Sequence, residues 1–270
     1  MMEQRVAILG LGKIGTILLQ GLLKVGLPLG NVRATVRHAE RAQRLASQLS
    51  IPVGTDSRAA AHGADVVLIA VKPQNVRELL EEIRAELAPP QLVISVAASV
   101  PTSYIEDVLA APVAVVRAMP NTPCQVGAGM TGICRGTHAS DAHLDTARRL
   151  FDTVGRTVVV DEKHMDAVTG LSASGPAFIY IILESLAEAG VKVGLPRDVA
   201  TLLSAQTLLG AAKVALDTGD HPALLKDTVT TPAGCTIDGI LELEEGKLRV
   251  TLIKAVVKST QRAKELLFEK

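Results

Sequence analysis

Val6-Ala7-Ile8-Leu9-Gly10-Leu11-Gly12-Lys13-Ile14-Gly15 is the stretch on which the reading of this chain turns. A short apolar run reads as a buried strand. Three glycines come next in the spacing G-x-G-x-x-G, and residues 16–25 continue with helical periodicity. Each glycine has a physical task in such a strand–turn–helix unit. Gly10 permits the tight turn, Gly12 lets a pyrophosphate approach the backbone, and Gly15 allows the helix to pack against the strand. The free N–H groups and positive dipole end at the helix start favour an anion. Gly10, Leu11, Gly12, Lys13, Ile14 and Gly15 are therefore expected to cradle the phosphates of a dinucleotide. The competing reading is a glycine-rich turn without a ligand, and the strand and helix pattern of residues 32–160 weakens it.

Outward from this loop, short β-rich runs alternate with helical stretches. Strands are expected at 32–36, 65–71, 92–96, 113–117 and 157–160, and helices at 40–49, 76–87, 102–109 and 141–154. Regular βα alternation argues an α/β domain with a parallel, doubly wound sheet, the Rossmann arrangement, over residues 1–162. The end of its second strand selects the cofactor. NAD enzymes usually place an acid there for the ribose 2′-OH, but this chain has Thr35-Val36-Arg37-His38. Arg37 can fork onto a 2′-phosphate and the Thr35 hydroxyl can donate to it. NADPH is expected, with NADH as the second option.

Beyond residue 163 strand signals fade and Ala/Leu-rich helices take over, so residues 163–270 are expected to form an all-α domain. Residues 174–193 read as a helix capped by Ser174, with Pro176 close to the favoured early position. Residues 177–183 are apolar all round, which predicts a helix buried on every side. Residues 197–217 are rich in small residues, and 247–268 is amphipathic, with Leu248, Leu252, Val256, Thr260, Ala263 and Leu267 near one stripe. So few helices can hardly cover their own apolar surface. This domain is therefore expected to make a homodimer, the unit of any larger assembly.

Composition sets the limits. The 270 residues carry 28 basic and 28 acidic side chains, leaving no global field for nucleic acid or an anionic membrane. Aromatics are 2% with no Trp, which removes the stacking platforms of a single-strand binder. Hydrophobic residues reach 48% and mean hydropathy is +0.31, yet no apolar run approaches the ~20 residues of a membrane span. Cys124, Cys134 and Cys235 are too few and too scattered for a disulfide framework. With no signal character in the first residues, the expectation is a reduced, cytoplasmic protein. Its six histidines are dispersed, and no metal site is expected.

Several further strings are not required by a Rossmann half. They are Ala70-Val71-Lys72-Pro73, Arg117-Ala118-Met119-Pro120-Asn121-Thr122-Pro123, Ser172-Ala173-Ser174-Gly175-Pro176-Ala177 and Thr230-Thr231-Pro232-Ala233-Gly234-Cys235-Thr236. Their order and spacing resemble the pyrroline-5-carboxylate reductase family nearly end to end. The resemblance implies reduction of the C=N bond of L-1-pyrroline-5-carboxylate to L-proline by NADPH or NADH, on a Rossmann domain joined to a helical dimerisation domain. It implies that Val71, Lys72, Pro73, Ala97 and Ala98 lie along the cofactor. It places Glu162, Thr169, Ser174, Gly175 and Pro176 near the substrate, and Ala233, Gly234, Cys235 and Thr236 in the loop that holds the substrate carboxylate. Thr236, facing the ring nitrogen, would be the catalytic contact, with a helix cap as its competing role.

Some positions depart from the family pattern. Ala233 and Ser99 stand where glycine is commoner, Ala173 where a glycine between the serines is commoner, and Cys235 replaces a small Ala or Thr. If the glycine at 233 needs φ > 0, Ala there carries strain of about 1 kcal/mol. A related cyclic imine acid is the alternative substrate.

The reaction asks little of acid–base groups, because a protonated ring imine is already electrophilic and hydride transfer needs orientation and shielding. Donors for a substrate carboxylate are expected from N–H groups of 172–177 and 233–236, each at a helix start. A β-hydroxyacid dehydrogenase would carry a catalytic Lys on the helix after the cofactor domain, and residues 164–185 contain none. A non-catalytic dinucleotide-binding regulator would have no use for the polar string 169–174.

Overall fold

The computed structural model describes residues 4–266. Among these, one compact unit holds everything up to Ser174 together with the chain from Lys258 onward, and a second holds Gly175–Val257.

The first unit begins with Val6–Leu9 (β1), Lys13–Lys24 (α1), Val32–Thr35 (β2), Ala39–Leu49 (α2), Val53–Gly54 (β3), Ser57–Ala61 (α3), Val66–Ile69 (β4) and Val76–Ile83 (α4). Leu92–Ser95 (β5), Thr102–Leu109 (α5), Ala114–Met119 (β6), Gly129–Arg135 (β7), Asp141–Phe151 (α6), Gly155–Val159 (β8) and Met165–Val168 (α7) complete it. The described strands form one sheet in the order β3-β2-β1-β4-β5-β6-β7-β8. β1 to β6 are parallel, as the βα alternation requires, while β7 runs antiparallel to β6.

The strands are apolar on both faces because helices cover both. Val6, Ile8, Leu68 and Ile94 point to the side holding Leu18 and Leu22 of α1 and Leu150 and Phe151 of α6. Ala7, Leu9, Val67 and Ile69 point to the other, against Leu80 and Ile83 of α4 and Ile105 of α5. Each such Leu or Ile removed from water stabilises the unit by about 1.5–3 kcal/mol.

Sequence patterning did not expect β3 or β7. β3 is two residues long. β7 contains Gly129, Gly132 and Thr131, an unpromising strand by local pattern, yet from Thr131 to Cys134 every residue is buried. Pairing with β6 (Met119 opposite Gly132) overrides its weak propensity.

In the second unit the helices are Gly175–Lys192 (α8), Arg197–Thr218 (α9), Pro222–Thr228 (α10) and Cys235–Glu245 (α11). Leu248–Glu265 (α12) starts in this unit and ends in the first. The stripe expected on α12 is seen: Leu248, Leu252, Val256 and Thr260 are half-buried and Ala263 is buried. Leu267 and Phe268 lie outside the described residues.

The structure corrects three expectations. Residues 177–183 are not buried in the single chain, where Ile179, Tyr180 and Ile181 are about half exposed or more. An all-round apolar helix in so small a unit has too few neighbours to cover it. Second, helices at Glu162–Lys192 and Arg197–Thr218 are long and apolar enough to cross a membrane, by length and composition only, although no uninterrupted apolar run reaches that length. Third, the helix does not begin at Ser174. Met165–Val168, a π-helical turn at Thr169–Ala173 and α8 form a continuous helical run.

Candidate active site

The carboxyl ends of β2, β1, β4 and β5 come into line, with Thr35, Leu9, Ile69 and Ser95 in one paired row. The strand order reverses direction at β1, and the crevice outside such a switch point is where open parallel sheets bind ligands. The loops that leave these strands carry Gly10–Gly15, Arg37, Val71–Pro73 and Ala97–Ser99.

The glycine loop has the geometry its spacing predicts. Gly10 has φ +103°, and a Cβ there would meet the Ala70 carbonyl and Val71 Cγ1 at 2.9 Å. A Cβ on Gly15 would collide with the Gly10 carbonyl oxygen, so helix and strand pack only without one. Gly12 faces open space, the room a pyrophosphate needs. It is also the N-cap of α1, without a side-chain cap, leaving the N–H groups of Lys13, Ile14 and Gly15 at the open end of a helix. The Leu11 N–H is already committed to the Thr35 carbonyl at 3.0 Å, so Leu11 braces the loop instead of facing a ligand. These features fit a dinucleotide phosphate.

A cleft of about 210 Å³ adjoins the loop, lined by Gly10, Thr35, Val36, Arg37, Val71 and Asn75 among others. Thr35 is buried and Arg37 exposed. Sequence reasoning missed Arg41, whose Nη2 donates to the Leu11 carbonyl at 2.7 Å and so holds the loop from α2. No local signal points to it, because its partner lies thirty residues earlier in the chain. Lys72 is exposed at the N-cap of a short turn at Pro73–Asn75, and Ala97 is buried while Ala98 is half-buried. Ser99 adopts φ +64°, the region that explains the glycine common there, and its hydroxyl donates to the Ala263 carbonyl at 2.6 Å.

At the next strand, a buried charge organises the far side of the site. Arg117 on β6 is 4% exposed and lies 3.6 Å from Glu162 and 3.3 Å from Asp166. Glu162 also accepts from the Thr102 N–H at 2.7 Å and the Thr102 hydroxyl at 2.5 Å. Both its oxygens are thus engaged, which makes Glu162 an anchor of the helical segment. Burial, reinforced by the Glu162 charge, pushes the neighbouring Cys134 thiol up to about 12. It is an inert core thiol. The Thr169 hydroxyl donates to the Met165 carbonyl at 3.0 Å.

The expected anion site at 172–177 is overturned. Ser174 has helical angles and its N–H donates to the Thr169 carbonyl at 3.0 Å, so it neither caps a helix nor stands at the start of one.

In the second unit, Gly175 and Pro176 continue the helical run into α8, whereas residues 233–236 form a true helix start. Ala233 has φ 57°, so the strain foreseen for it is present. Gly234 is the N-cap of α11, and Cys235 and Thr236 occupy its first turn. Thr236 is therefore not the cap. It is exposed, as are Ala233 and Cys235, beside first-turn N–H groups suited to a carboxylate.

A Rossmann sheet with this loop and an apolar helical unit defines a dinucleotide-dependent oxidoreductase with a dimerisation domain. Residues 5–99 match the family described as NADP oxidoreductase, coenzyme F420-dependent, and residues 162–266 match pyrroline-5-carboxylate reductase dimerisation. The latter stretch contains both helices long enough to span a membrane. A pyrroline-5-carboxylate reductase of Methanosarcina acetivorans is 43% identical over 98% of this chain and 99% of its own. A solved pyrroline-5-carboxylate reductase of Coxiella burnetii superposes with TM-score 0.92 at 36% identity, covering 98% of this chain and 99% of that one. A pyrroline carboxylate reductase of Plasmodium falciparum, solved with NADP bound, has TM-score 0.88 at 26% identity and covers 99% of each. The chain belongs to the pyrroline-5-carboxylate reductase family.

Proposed function

We propose that this protein reduces L-1-pyrroline-5-carboxylate to L-proline, the last step of proline biosynthesis, with NADPH as the preferred donor. The observation that carries this reading is the end-to-end 43% identity to a reductase of that name, together with a loop whose three glycines fit a dinucleotide.

NADPH, when bound, supplies the hydride. The protein's own residues bind, orient and shield. The N–H groups of Lys13, Ile14 and Gly15 receive the pyrophosphate, with Leu11 bracing the turn. Arg37, with Thr35, takes the 2′-phosphate, while Val71, Lys72, Pro73, Ala97 and Ala98 line the path toward the nicotinamide. Glu162, Thr169, Ser174, Gly175 and Pro176 shape the substrate end through the helical run they build. The first turn of α11, with Ala233, Gly234 and Cys235, holds the substrate carboxylate, and the Thr236 hydroxyl orients the ring nitrogen and stabilises the amine as it forms. The family match over 162–266 supports functional halves at about 1–162 and 163–270, whereas the compact units divide after Ser174 and return the chain from Lys258 to the first, because the helical run begins before the fold boundary. The working unit is a homodimer, assembled further or not, with a small-molecule substrate and neither nucleic acid nor membrane as partner. Unpaired cysteines accord with the cytoplasm.

The test is NADPH oxidation with pyrroline-5-carboxylate, beside NADH and a six-membered cyclic imine acid. Turnover is expected to be fastest with the five-membered imine and NADPH, and no turnover would refute the reading. Arg37→Ala should raise KM for NADPH and spare NADH. Equal effects on both cofactors would remove Arg37 from the 2′-phosphate.

A further inference from the structure

Asn121 follows β6, and its side-chain amide meets the one irregular turn of the long helix. Thr169–Ala173 is π-helical, and such turns recur at functional sites because they displace the groups around them. The local chemistry accounts for a disruption at this point. In α-helical register the Ser172 carbonyl would accept from the N–H of residue 176, and Pro176 has none. Asn121 takes the place of that donor: its Nδ2 donates to the Ser172 carbonyl at 3.2 Å and reaches Ser172 Oγ at 3.4 Å. Its Oδ1 accepts the Met130 N–H at 2.9 Å. Both ends of the amide are used, so its orientation is determined: nitrogen toward the helix, oxygen toward β7. The framework behind it is tight. A Cβ on Gly132 of β7 would meet Val168 Cγ1 at 2.8 Å, so the strand that carries Met130 also lies directly against the residue preceding the π turn.

We propose that Asn121 is a positioning residue of the reaction, acting through Ser172: it holds the π turn, and with it the segment Thr169–Ser174, in the geometry hydride transfer uses. The proposal rests on the imine-reductase reading. A misplacement of about 1 Å by a residue remote from the chemistry is enough to lower turnover markedly.

The experiment is Asn121→Asp, nearly isosteric, which keeps an acceptor for the Met130 N–H and sets an oxygen against the Ser172 carbonyl. Asn121→Ser, which shortens the side chain without adding charge, is made beside it. Three quantities are measured on each full-length variant: kcat with pyrroline-5-carboxylate at saturating NADPH, the Kd of NADPH, and Tm. The expected result is a fall in kcat of about tenfold or more with NADPH Kd within about twofold of wild type. Wild-type kcat with a lowered Tm would show a structural amide only and overturn the proposal. A parallel loss of NADPH affinity would place Asn121 on the cofactor and also overturn it. Failure of both variants to fold would do the same, marking a folding residue. Absence of turnover by the wild type refutes the reading itself, and is distinguished from these because it appears before any variant is made.

Discussion

Residues up to 174 and residues 175–257 are both rich in apolar side chains and bury them very differently. In the first unit the strands β1, β4, β5 and β6 are buried along their whole length, and α1, α4 and α6 each lay an apolar face on the sheet. In the second, the buried positions among the described residues are Ala187, Ala200 and Ser204, while Ile181 is 63% and Leu202 69% exposed. A sheet covered on both faces closes its core within one chain. Helices that are apolar all round close theirs only against another surface, and this chain carries its family's dimerisation domain over that stretch. The first unit has the composition of a finished core, the second that of a core divided between chains.

The sharpest way to break this comparison is a charge in each unit. Ile181→Asp should prevent assembly, read by sedimentation as a single chain of about 28 kDa or as insoluble protein, since an unpaired charge cannot enter an apolar interface. Leu29→Asp, on an exposed residue of the first unit, should leave the mass unchanged. The opposite result would mean that the apolar helices are not the interface.

Within the first unit, Arg117 marks where a closed core admits charge. Arg117→Met leaves Glu162 and Asp166 without their cation and should lower stability by about 3 kcal/mol, discounted from the higher values of fully buried pairs because both acids are partly exposed. Denaturant unfolding measures it, and a change near zero would show that Thr102 alone satisfies Glu162.

In the second unit, Thr236 separates chemistry from folding more cleanly than its sequence context allowed. Because Gly234 is the N-cap, Thr236→Ala removes no cap and should leave Tm close to wild type. It should lower kcat/KM for the imine by about tenfold, equivalent to about 1.4 kcal/mol, and Thr236→Ser should restore most of it. Unchanged kinetics in Thr236→Ala would remove it from the catalytic contact.

The smallest effect is expected at the surface of the first unit. The Arg5 guanidinium and backbone N–H hold the Asp65 carboxyl below the usual carboxylate range. A depressed folded-state value means that the contribution is present above the unfolded value of about 4 and is lost as pH falls below it. Asp65→Asn should therefore flatten the acid limb of stability against pH by well under about 1 kcal/mol, as befits an exposed pair. No change in that limb would leave the pair without energetic weight.

Local signals located the glycine loop and nearly every parallel strand, because an apolar run ending in G-x-G-x-x-G has few other ways to fold. The same locality explains the failures. Gly129–Arg135 lacks a strand pattern and becomes β7 by pairing with β6, a partner no local window contains. Arg41 was overlooked because its bond to Leu11 spans thirty residues of sequence. Glu162 was placed by resemblance, while its partners Thr102 and Arg117 come from two other elements.

What the amino-acid sequence determined alone is whatever depends on neighbours along the chain: the βα alternation, the phosphate-binding turn, the missing acid after β2, and the apolar surplus of the helical half. Tertiary structure decided what depends on distant groups. Ser-Gly-Pro at 174–176 reads locally as the start of a helix, since Pro is welcome in a first turn. The structure instead carries the helix through it, because Asn121 donates to the Ser172 carbonyl, which Pro176 has no N–H to satisfy. A helix start and a repaired helix interior have the same sequence signature, and they differ in where the missing hydrogen bond is found.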